Sequence, residues 1–421
     1  MRTYLSFSRD AYLVVIYSFF GWLGGNIAWF IVPFYFKSLG MDYSSMGVLF
    51  SLSTIAQAAL LLFTGPPLAV KIGYKRSIIL ALIFFMSGRL VQVFLPEFHF
   101  LAIASVLLGI GMALEGPALM SLLSEEASDE NRHYLFSMNS AMGTFGAAFG
   151  TLLGGGFLPG GVLDGKNPYR DTLVVSIGFV LIQLVVISLV HPILDRKGRE
   201  IKFERETVVK ILKFSLPSAL IGLGAGVTIP YMGLWFNRKF GTSLESIGGL
   251  FAIQQFIMGL GTFLLPALAD RAGSVRTIVA FNGSATLLIA GMPFLPSFPL
   301  AALVYIIRTI LMNIVNPIWD AFMMRFFSTE ERSTALALRN LSWTATFGMG
   351  QYIGGGDIRP LPHDAFPDNG LPVRGFNGDL LGTVLKGRRV ENQHILGTGS
   401  PSGGSMNLFP PIPVSRRTLP R

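Results

Sequence analysis

The chain has 421 residues, of which 51% are hydrophobic and only 14% charged, whereas about 25% of the residues in an average soluble domain are charged. This composition excludes water as the main solvent and predicts a membrane protein. The sequence contains no Cys, which excludes disulfides, thiolate chemistry and Cys-based metal sites.

Apolar runs bounded by polar loops predict eleven membrane-spanning α-helices, because about 20 residues of helix cross the hydrocarbon core of a bilayer. Six of them lie in the first half of the chain, at residues 11–36, 45–70, 77–96, 99–123, 134–157 and 171–190. A charged linker covers residues 191–210, and five helices follow, at residues 211–236, 244–268, 277–297, 299–323 and 335–356. No small-residue cleavage site follows the first apolar run, so we predict a retained helix and not a signal peptide. Pro217 and Pro230 predict a bent or broken seventh helix.

Lys and Arg concentrate in alternate loops of this array, for example at Lys75, Arg76, Arg196 and Arg276. The positive-inside rule assigns such loops to the cytoplasm, and the amino terminus then lies there too. We therefore predict a multi-pass protein of the cell membrane with a cytoplasmic amino terminus. Because the basic residues follow the topology, the net charge of +9 does not indicate a nucleic-acid partner.

The two halves of the chain repeat one another at an offset of 200 positions. The segment PPLAVKIGYKR at 66–76 aligns with PALADRAGSVR at 266–276, and Gly47 matches Gly248 in a register one residue longer. Four aligned glycines are Gly150, Gly154, Gly155 and Gly156, which match Gly350, Gly354, Gly355 and Gly356. Internal duplication is typical of secondary transporters. We therefore predict two tandem bundles, one at residues 1–190 and one at residues 211–356.

The repeat fails after Gly356. A twelfth helix belongs near residues 371–390 by analogy with 171–190, yet residues 357–421 are rich in Pro, Gly and Ser, which is typical of a disordered segment. Two explanations are open: a natural tail after eleven helices, or a reading-frame shift that replaced the last helix. We favour the frameshift, because the repeat is intact up to the break and vanishes within a few residues.

The loops at 66–76 and 266–276 resemble the Gly-x-Leu-Ala-Asp-Arg-x-Gly-Arg-Lys motif of the major facilitator superfamily, and the resemblance covers residues 11–356. It implies an all-α fold of two six-helix bundles around a central cavity, here with the twelfth helix missing or frameshifted. The matching residues are Gly73, Lys75 and Arg76 in the first copy and Asp270, Arg271 and Gly273 in the second. Val70 replaces the acid of the first copy. These residues either form a gating latch that opens as the halves rock or only fix the topology.

The fifth helix carries GAAFGTLLGG, which resembles the antiporter motif Gly-x-x-x-Gly-Pro-x-x-Gly-Gly with Thr151 in place of Pro. Its glycines are Gly146, Gly150, Gly154 and Gly155. Small residues at this spacing let helix backbones approach closely in a membrane. The motif therefore indicates either helix packing or an exchanger signature.

Four ionisable residues stand out inside the predicted apolar helices: Arg89, Glu115, Arg308 and Asp320. A charge in the bilayer is costly and is kept mainly where it faces a wet cavity or a partner. Glu115 is a candidate for proton coupling; the alternatives are an ion pair with an Arg of a neighbouring helix or a side chain that reaches cytoplasmic water. Arg308 either binds an anionic substrate or pairs with an acid. We expect Arg89 to reach the membrane surface and Asp320 to cap its helix end.

Uncharged polar residues at mid-membrane are candidates for a substrate cavity. With Arg308 they are Asn26, Gln57, Gln254, Gln255, Asn313 and Asn316, together with the aromatic Trp29. Each of them alone is equally compatible with a hydrogen bond between helices. As a set they favour a cavity, and the resemblance implies that the helices carrying them line it.

These features predict a secondary active transporter that moves a small solute by alternating access, driven by a proton gradient or by the solute's own gradient, with efflux or antiport favoured. The alternative is a transport-inactive relic or membrane sensor with an incomplete second bundle. We expect a monomer in the lipid bilayer, with no cofactor and no metal, since the five His residues lie in loops, helix ends or the tail. An enzyme inside the membrane would need paired acids, a His cluster, or a nucleophile with its base within the helices. The predicted helices contain none of these, so we do not predict an enzyme.

Overall fold

The computed structural model describes residues 7–63, 72–127, 131–159, 167–191, 205–264, 274–323, 326–327 and 332–357. All of them belong to one compact unit. Twelve α-helices account for nearly all of these residues. They are α1 (Arg9–Ser38), α2 (Tyr43–Phe63), α3 (Tyr74–Phe94), α4 (Phe98–Glu125), α5 (Arg132–Leu152), α6 (Pro168–Ser188), α7 (Arg205–Thr228), α8 (Met232–Phe240), α9 (Leu244–Leu264), α10 (Ser274–Gly291), α11 (Phe298–Met323) and α12 (Arg332–Asp357). The predicted all-α class is confirmed, and residues 358–421 of the predicted tail lie outside the described residues.

The predicted seventh span is divided into α7 and α8. A 3₁₀ turn at Ile229–Tyr231 joins them, with Pro230 at its start. Proline lacks the backbone N–H that an α-helix needs at this point, so the chain changes its helix type there. The predicted break is therefore confirmed, while Pro217 lies inside α7.

Seven helical segments are long and apolar enough to cross a bilayer by themselves. They are α1, α2, α3, α4, α6, the α7–α8 segment and α10. Helices α9 and α11 have shorter apolar stretches, at Leu244–Leu260 and Phe298–Asn313. Helices α5 and α12 are richer in Gly, Ser, Thr and Asn, and each packs between two other helices: α5 between α1 and α9, and α12 between α2 and α7.

Specific residues set where several helices begin. Ser8 caps α1, because its hydroxyl accepts a hydrogen bond from the Ala11 backbone N–H at 2.9 Å. Asn167 caps α6 in the same way, through the Arg170 N–H at 3.1 Å, and Pro168 occupies the first helical position. Helix α3 begins after Gly73, whose φ of 92° favours glycine. A glycine at this position allows the turn that leads into α3.

The sequence repeat returns as a repeat of backbone contacts. A Cβ added at Gly150 would lie less than 3.0 Å from the Leu23 carbonyl oxygen, and one added at Gly350 would meet the Leu223 oxygen just as closely. The Leu23 and Leu223 positions are again 200 apart. The same relation holds one turn further on, where a Cβ at Gly354 would lie 2.5 Å from the Val227 oxygen. Glycine thus lets α5 approach α1, and α12 approach α7, in the same way.

The two ends of the bundle have different cores. At the end where α1 finishes and α2 begins, called here the α1–α2 end, one aromatic core joins residues of both halves, including Phe36, Met46, Phe236 and Tyr305. At the opposite end, called the α2–α3 end, the cores are separate. One contains only first-half residues such as Tyr17, Ile78, Leu123 and Leu135, and the other contains Ile211, Met323, Phe327 and Ala335. Among the described residues, one core joins the halves at the α1–α2 end, whereas at the α2–α3 end each half has its own core.

Candidate functional site

Two pairs of glycines bring the halves together at the α1–α2 end. Gly47 of α2 faces Gly355 of α12, where a Cβ on Gly355 would lie 2.7 Å from the Gly47 Cα. Gly155, beyond the end of α5, faces Gly248 of α9 even more closely. Any side chain at these positions would separate the backbones. We call these pairs the two glycine contacts.

The repeat explains why there are two of them. Gly47 corresponds to Gly248 and Gly155 to Gly355 in the repeat, so the second contact is formed by the copies of the two residues that form the first. The halves are thereby related by a pseudo-two-fold axis that passes between the two contacts. Midway along the bundle the approach is looser, since a Cβ on Gly259 would lie 3.1 Å from the Thr144 side chain. The halves converge toward the α1–α2 end.

Polar and aromatic side chains reinforce this closure. The Thr54 hydroxyl and the Gln351 side-chain oxygen lie 2.7 Å apart in a buried hydrogen bond between α2 and α12. The Tyr231 hydroxyl donates to the Gln351 carbonyl oxygen at 2.8 Å, and its ring lies 5.9 Å from that of Phe50. On the other side, the Trp29 ring lies 6.2 Å from that of Phe251. These contacts fill the space between the halves.

A narrow cleft remains between α1, the 3₁₀ turn and α9. Trp29, Phe34, Pro230 and Phe251 are among its lining residues. Its volume is about 10 Å³, which is room for one water molecule at most. A solute does not fit into this cleft, which agrees with the close packing of the described residues at the α1–α2 end.

Glu115 of α4 is held by neutral hydrogen-bond donors. The Tyr17 hydroxyl of α1 donates to the Glu115 Oε1 at 2.5 Å, and the Gln183 side chain of α6 forms a second hydrogen bond. Gly21 leaves the room for the Gln183 amide, because a Cβ there would lie less than 3.0 Å from it. Among the described residues no Arg or Lys forms an ion pair with Glu115. The described residues therefore do not contain the Arg partner that was one predicted alternative for Glu115.

Arg308 of α11 differs from the other predicted intramembrane cation. It is 7% exposed, and its Nε atom has no hydrogen-bond partner. Arg89 of α3, in contrast, donates from Nη1 to the Gln92 side-chain oxygen at 2.5 Å. Arg308 lies one helical turn from Tyr305 and interacts with it electrostatically. The acid that was one predicted partner of Arg308 is not found among the described residues.

The predicted cavity residues do not converge on one open space. The Asn26 amide donates to the Trp22 carbonyl oxygen at 2.8 Å, and the Asn313 amide donates to the Thr309 oxygen at 2.8 Å, so both bind their own helices. Gln254 is buried and contacts the Met258 sulfur at 3.5 Å. Gln57 and Gln255 are half-buried and Asn316 is exposed. Their assignment to a cavity stays a prediction.

The first copy of the loop motif is held inside the first half. The Lys75 ammonium donates to the Ser188 and Val190 carbonyl oxygens at 2.8 and 2.5 Å, which caps the end of α6. Arg76 is exposed. Asp270, Arg271 and Gly273 of the second copy lie outside the described residues, as does the side chain of Asp320. The gating role of these residues stays a prediction.

The glycines of the fifth helix divide between two neighbours. Gly146, Gly150 and Gly154 face the α1 backbone, whereas Gly155 faces α9 across the interface between the halves. The Thr151 hydroxyl, where the family has Pro, donates to the Ala147 and Ala148 oxygens at 3.0 Å each. A π-helical turn at Leu153–Phe157 follows it. Helix packing accounts for all four glycines.

A polar cluster lies beside the first turn of α1. The Ser8 hydroxyl donates to the Glu126 Oε2 at 2.5 Å, and the His191 N–H donates to the Asp10 Oδ2 at 3.1 Å. Burial raises the pKa of the Glu126 carboxyl, and the Asp10 charge raises it further, against the lowering effect of the Ser8 hydrogen bond. This cluster joins the ends of α1, α4 and α6.

Several residues of these sites were not predicted. Tyr17, Thr54, Gln183, Gln351 and Tyr231 lie in helices whose apolar composition conceals them. One signal was present for Tyr17: an acid inside a membrane helix needs a donor, and Tyr17 and Gly21 share a face of α1 one turn apart. No comparable signal marks Thr54 or Gln351, because their partners are distant in sequence.

Comparisons with known proteins agree with this architecture. The nucleoside transporter NupG superposes with a TM-score of 0.68 at 14% identity, over 83% of this chain and 91% of NupG. A bacterial homolog to the human lysosomal transporter Spinster, inward-facing and unoccupied, gives a TM-score of 0.66 at 15% identity, over 92% of this chain and 87% of that one. No curated protein sequence matches at a significant level. Residues 14–351 match the sequence model of the Major Facilitator Superfamily, and the chain therefore belongs to that family.

Proposed function

We propose that this protein is a secondary active transporter that moves a small solute across the cell membrane by alternating access. The observation that carries the proposal is the closure of one end by the two glycine contacts, while the opposite end has a separate core in each half. Two duplicated halves that share a core at one end and have separate cores at the other can rock about a site between them. With the amino terminus in the cytoplasm, the closed end faces outward and the path opens inward.

Glu115 is the residue that we propose to carry the coupling proton. A carboxyl that lies among neutral donors can exist in two protonation states without breaking an ion pair, since Tyr17 can donate to the carboxylate and turn away from the acid. Its three helices, α1, α4 and α6, all belong to the first half. Protonation therefore changes the packing within one half, which is the unit that moves. Export in exchange for protons is the direction that we propose.

The test is flux into proteoliposomes that contain the purified protein under an imposed pH gradient, with a panel of labelled amphipathic compounds and nutrients. We expect gradient-driven flux of at least one compound in the wild type. Glu115→Gln should remove the response to the gradient. Glu97→Gln is the matched control, because Glu97 precedes the same helix and is exposed.

Two results would contradict these proposals separately. Unchanged dependence on the pH gradient in Glu115→Gln would rule out coupling through this residue. Absence of flux for every compound, in a wild-type protein that is folded and correctly inserted, would count against the transporter and favour a membrane sensor.

A further inference from the structure

We propose that Arg308 anchors an anion-binding site and that the solute is an amphipathic organic anion, with one carboxylate-like group and an aromatic or apolar body. This inference rests on the proposed transport function and names the class of its substrate.

Arg308 lies on the buried face of α11. Ala301, Tyr305 and Thr309, spaced at one and two turns, share that face, and all of them are less than a tenth exposed. Arg308 itself is 7% exposed. Most of the side chain, including Nε, is therefore buried within the protein.

No group of the described chain balances this charge. Nε is buried without an acceptor, and none of the described carboxylates forms an ion pair with Arg308. A buried, unpaired cation is costly, and removing it in favour of an apolar side chain commonly stabilises a protein. Arg89 shows the alternative arrangement, in which the Gln92 side chain satisfies the guanidinium at 2.5 Å. The structure thus points to a partner for Arg308 that comes from outside the chain, and that partner is an anion.

The surroundings define the rest of the ligand. The Tyr305 ring, one turn along α11, lies 5.5 Å from the Phe251 ring, which lies 6.2 Å from that of Trp29 on the opposite half. Trp29 is 44% exposed, so this row ends in an accessible aromatic face. Aromatic faces of this kind take up flat apolar groups by stacking. The guanidinium fork matches a carboxylate with two parallel hydrogen bonds.

The experiment measures binding to the purified wild-type protein by isothermal titration calorimetry. The probes are 1-naphthoate, its neutral counterpart 1-naphthamide, and acetate, which has the charge without the ring. We expect 1-naphthoate to bind about tenfold more tightly than either of the others, since a charge-assisted hydrogen bond is worth at least that factor. Equal binding of 1-naphthoate and 1-naphthamide would overturn the proposal.

Variants assign the effect to one residue. Arg308→Met should abolish the preference for 1-naphthoate, and Arg308→Lys, which keeps the charge without the fork, should weaken it. Arg89→Met should retain it; if Arg89→Met and Arg308→Met lose it equally, the site is not at Arg308. Should Arg308→Met fail to fold, the Lys variant decides the question: a weakened preference for 1-naphthoate supports the proposal, and an unchanged preference overturns it. Because no membrane gradient is involved, a failure of binding is distinguishable from a failure of transport.

Discussion

Replacing Gly355 by Ala is the most direct perturbation of the closed end. The new Cβ would lie 2.5 Å from the Tyr43 carbonyl oxygen and 2.7 Å from the Gly47 Cα. Ordinary van der Waals contact begins at 3.4 Å, so α2 and α12 have to separate by the difference between 3.4 and 2.5 Å, which is 0.9 Å. Both obstacles are backbone atoms, which no rotamer change can move away.

The size of the effect follows from the cost of such overpacking. Inserting a methyl group into a packed interface costs about 1–3 kcal/mol. If this cost falls only on the state that is closed at the α1–α2 end, the ratio of open to closed molecules rises about 5- to 150-fold. Gly356→Ala is the matched control, since a Cβ there meets nothing within 4 Å. The general gain of helix propensity on replacing Gly by Ala is the same in both variants.

The absence of Cys from the chain makes the assay simple. A single Ser51→Cys reporter lies one turn from Gly47 on α2 and is 4% exposed. A membrane-impermeant thiol reagent added from the α1–α2 side should label this reporter faster in Gly355→Ala than in Gly356→Ala. Equal labelling rates in the two variants, with both proteins folded, would refute the claim that the two glycine contacts hold this end closed.

Three further predictions follow from contacts described above. Arg308→Met should raise the midpoint of thermal unfolding in detergent, because it removes an unpaired buried charge, whereas Arg89→Met should lower it; a lowered midpoint in both would give Arg308 a structural role. Thr54→Val should cost about 1–3 kcal/mol by leaving the Gln351 oxygen unsatisfied, and chemical unfolding of wild type and variant should measure it. The raised pKa of Glu126 means that the folded state holds the carboxyl proton more tightly than the unfolded state does. The stability that this group contributes is therefore fully present below the usual pKa of 4.5, and it is lost as the pH rises through the raised pKa of the folded state. Glu126→Gln should therefore unfold like the wild type at low pH and at a higher temperature than the wild type near pH 7, and parallel unfolding curves at all pH values would contradict this.

The sequence predicted the periodic features, because a repeat can be recognised along the chain without knowing which residues are close in space. The 200-residue offset aligned Gly150 with Gly350, and in the structure the two glycines face equivalent backbone atoms, the Leu23 and Leu223 carbonyl oxygens. The break at Pro230 was likewise a local property of proline. Which glycine meets which helix was not predictable, since Gly154 and Gly155 are adjacent in sequence yet face different halves.

The candidate site was harder to predict than the fold. Glu115 was recognisable as an acid in an apolar helix, but its partner Tyr17 is 98 residues away, and no spacing rule connects them. Asn26 was assigned to a cavity because Asn is polar, and the sequence did not reveal that its amide donates to the backbone one turn earlier. Helical position gives the depth of a side chain in the membrane, while its rotamer and its neighbours decide what it binds.

The aromatic core shared by the two halves has a kinetic consequence. Opening the α1–α2 end wets rings such as Phe236, Tyr305 and Phe251 that are at most 4% exposed when it is closed. Under the proposed orientation and transport cycle, the protein without ligand rests closed to the outside, and the return of the unloaded transporter is the slow step. A compound supplied from the cytoplasmic side then reaches the site directly, whereas one supplied from outside binds only after a rare opening.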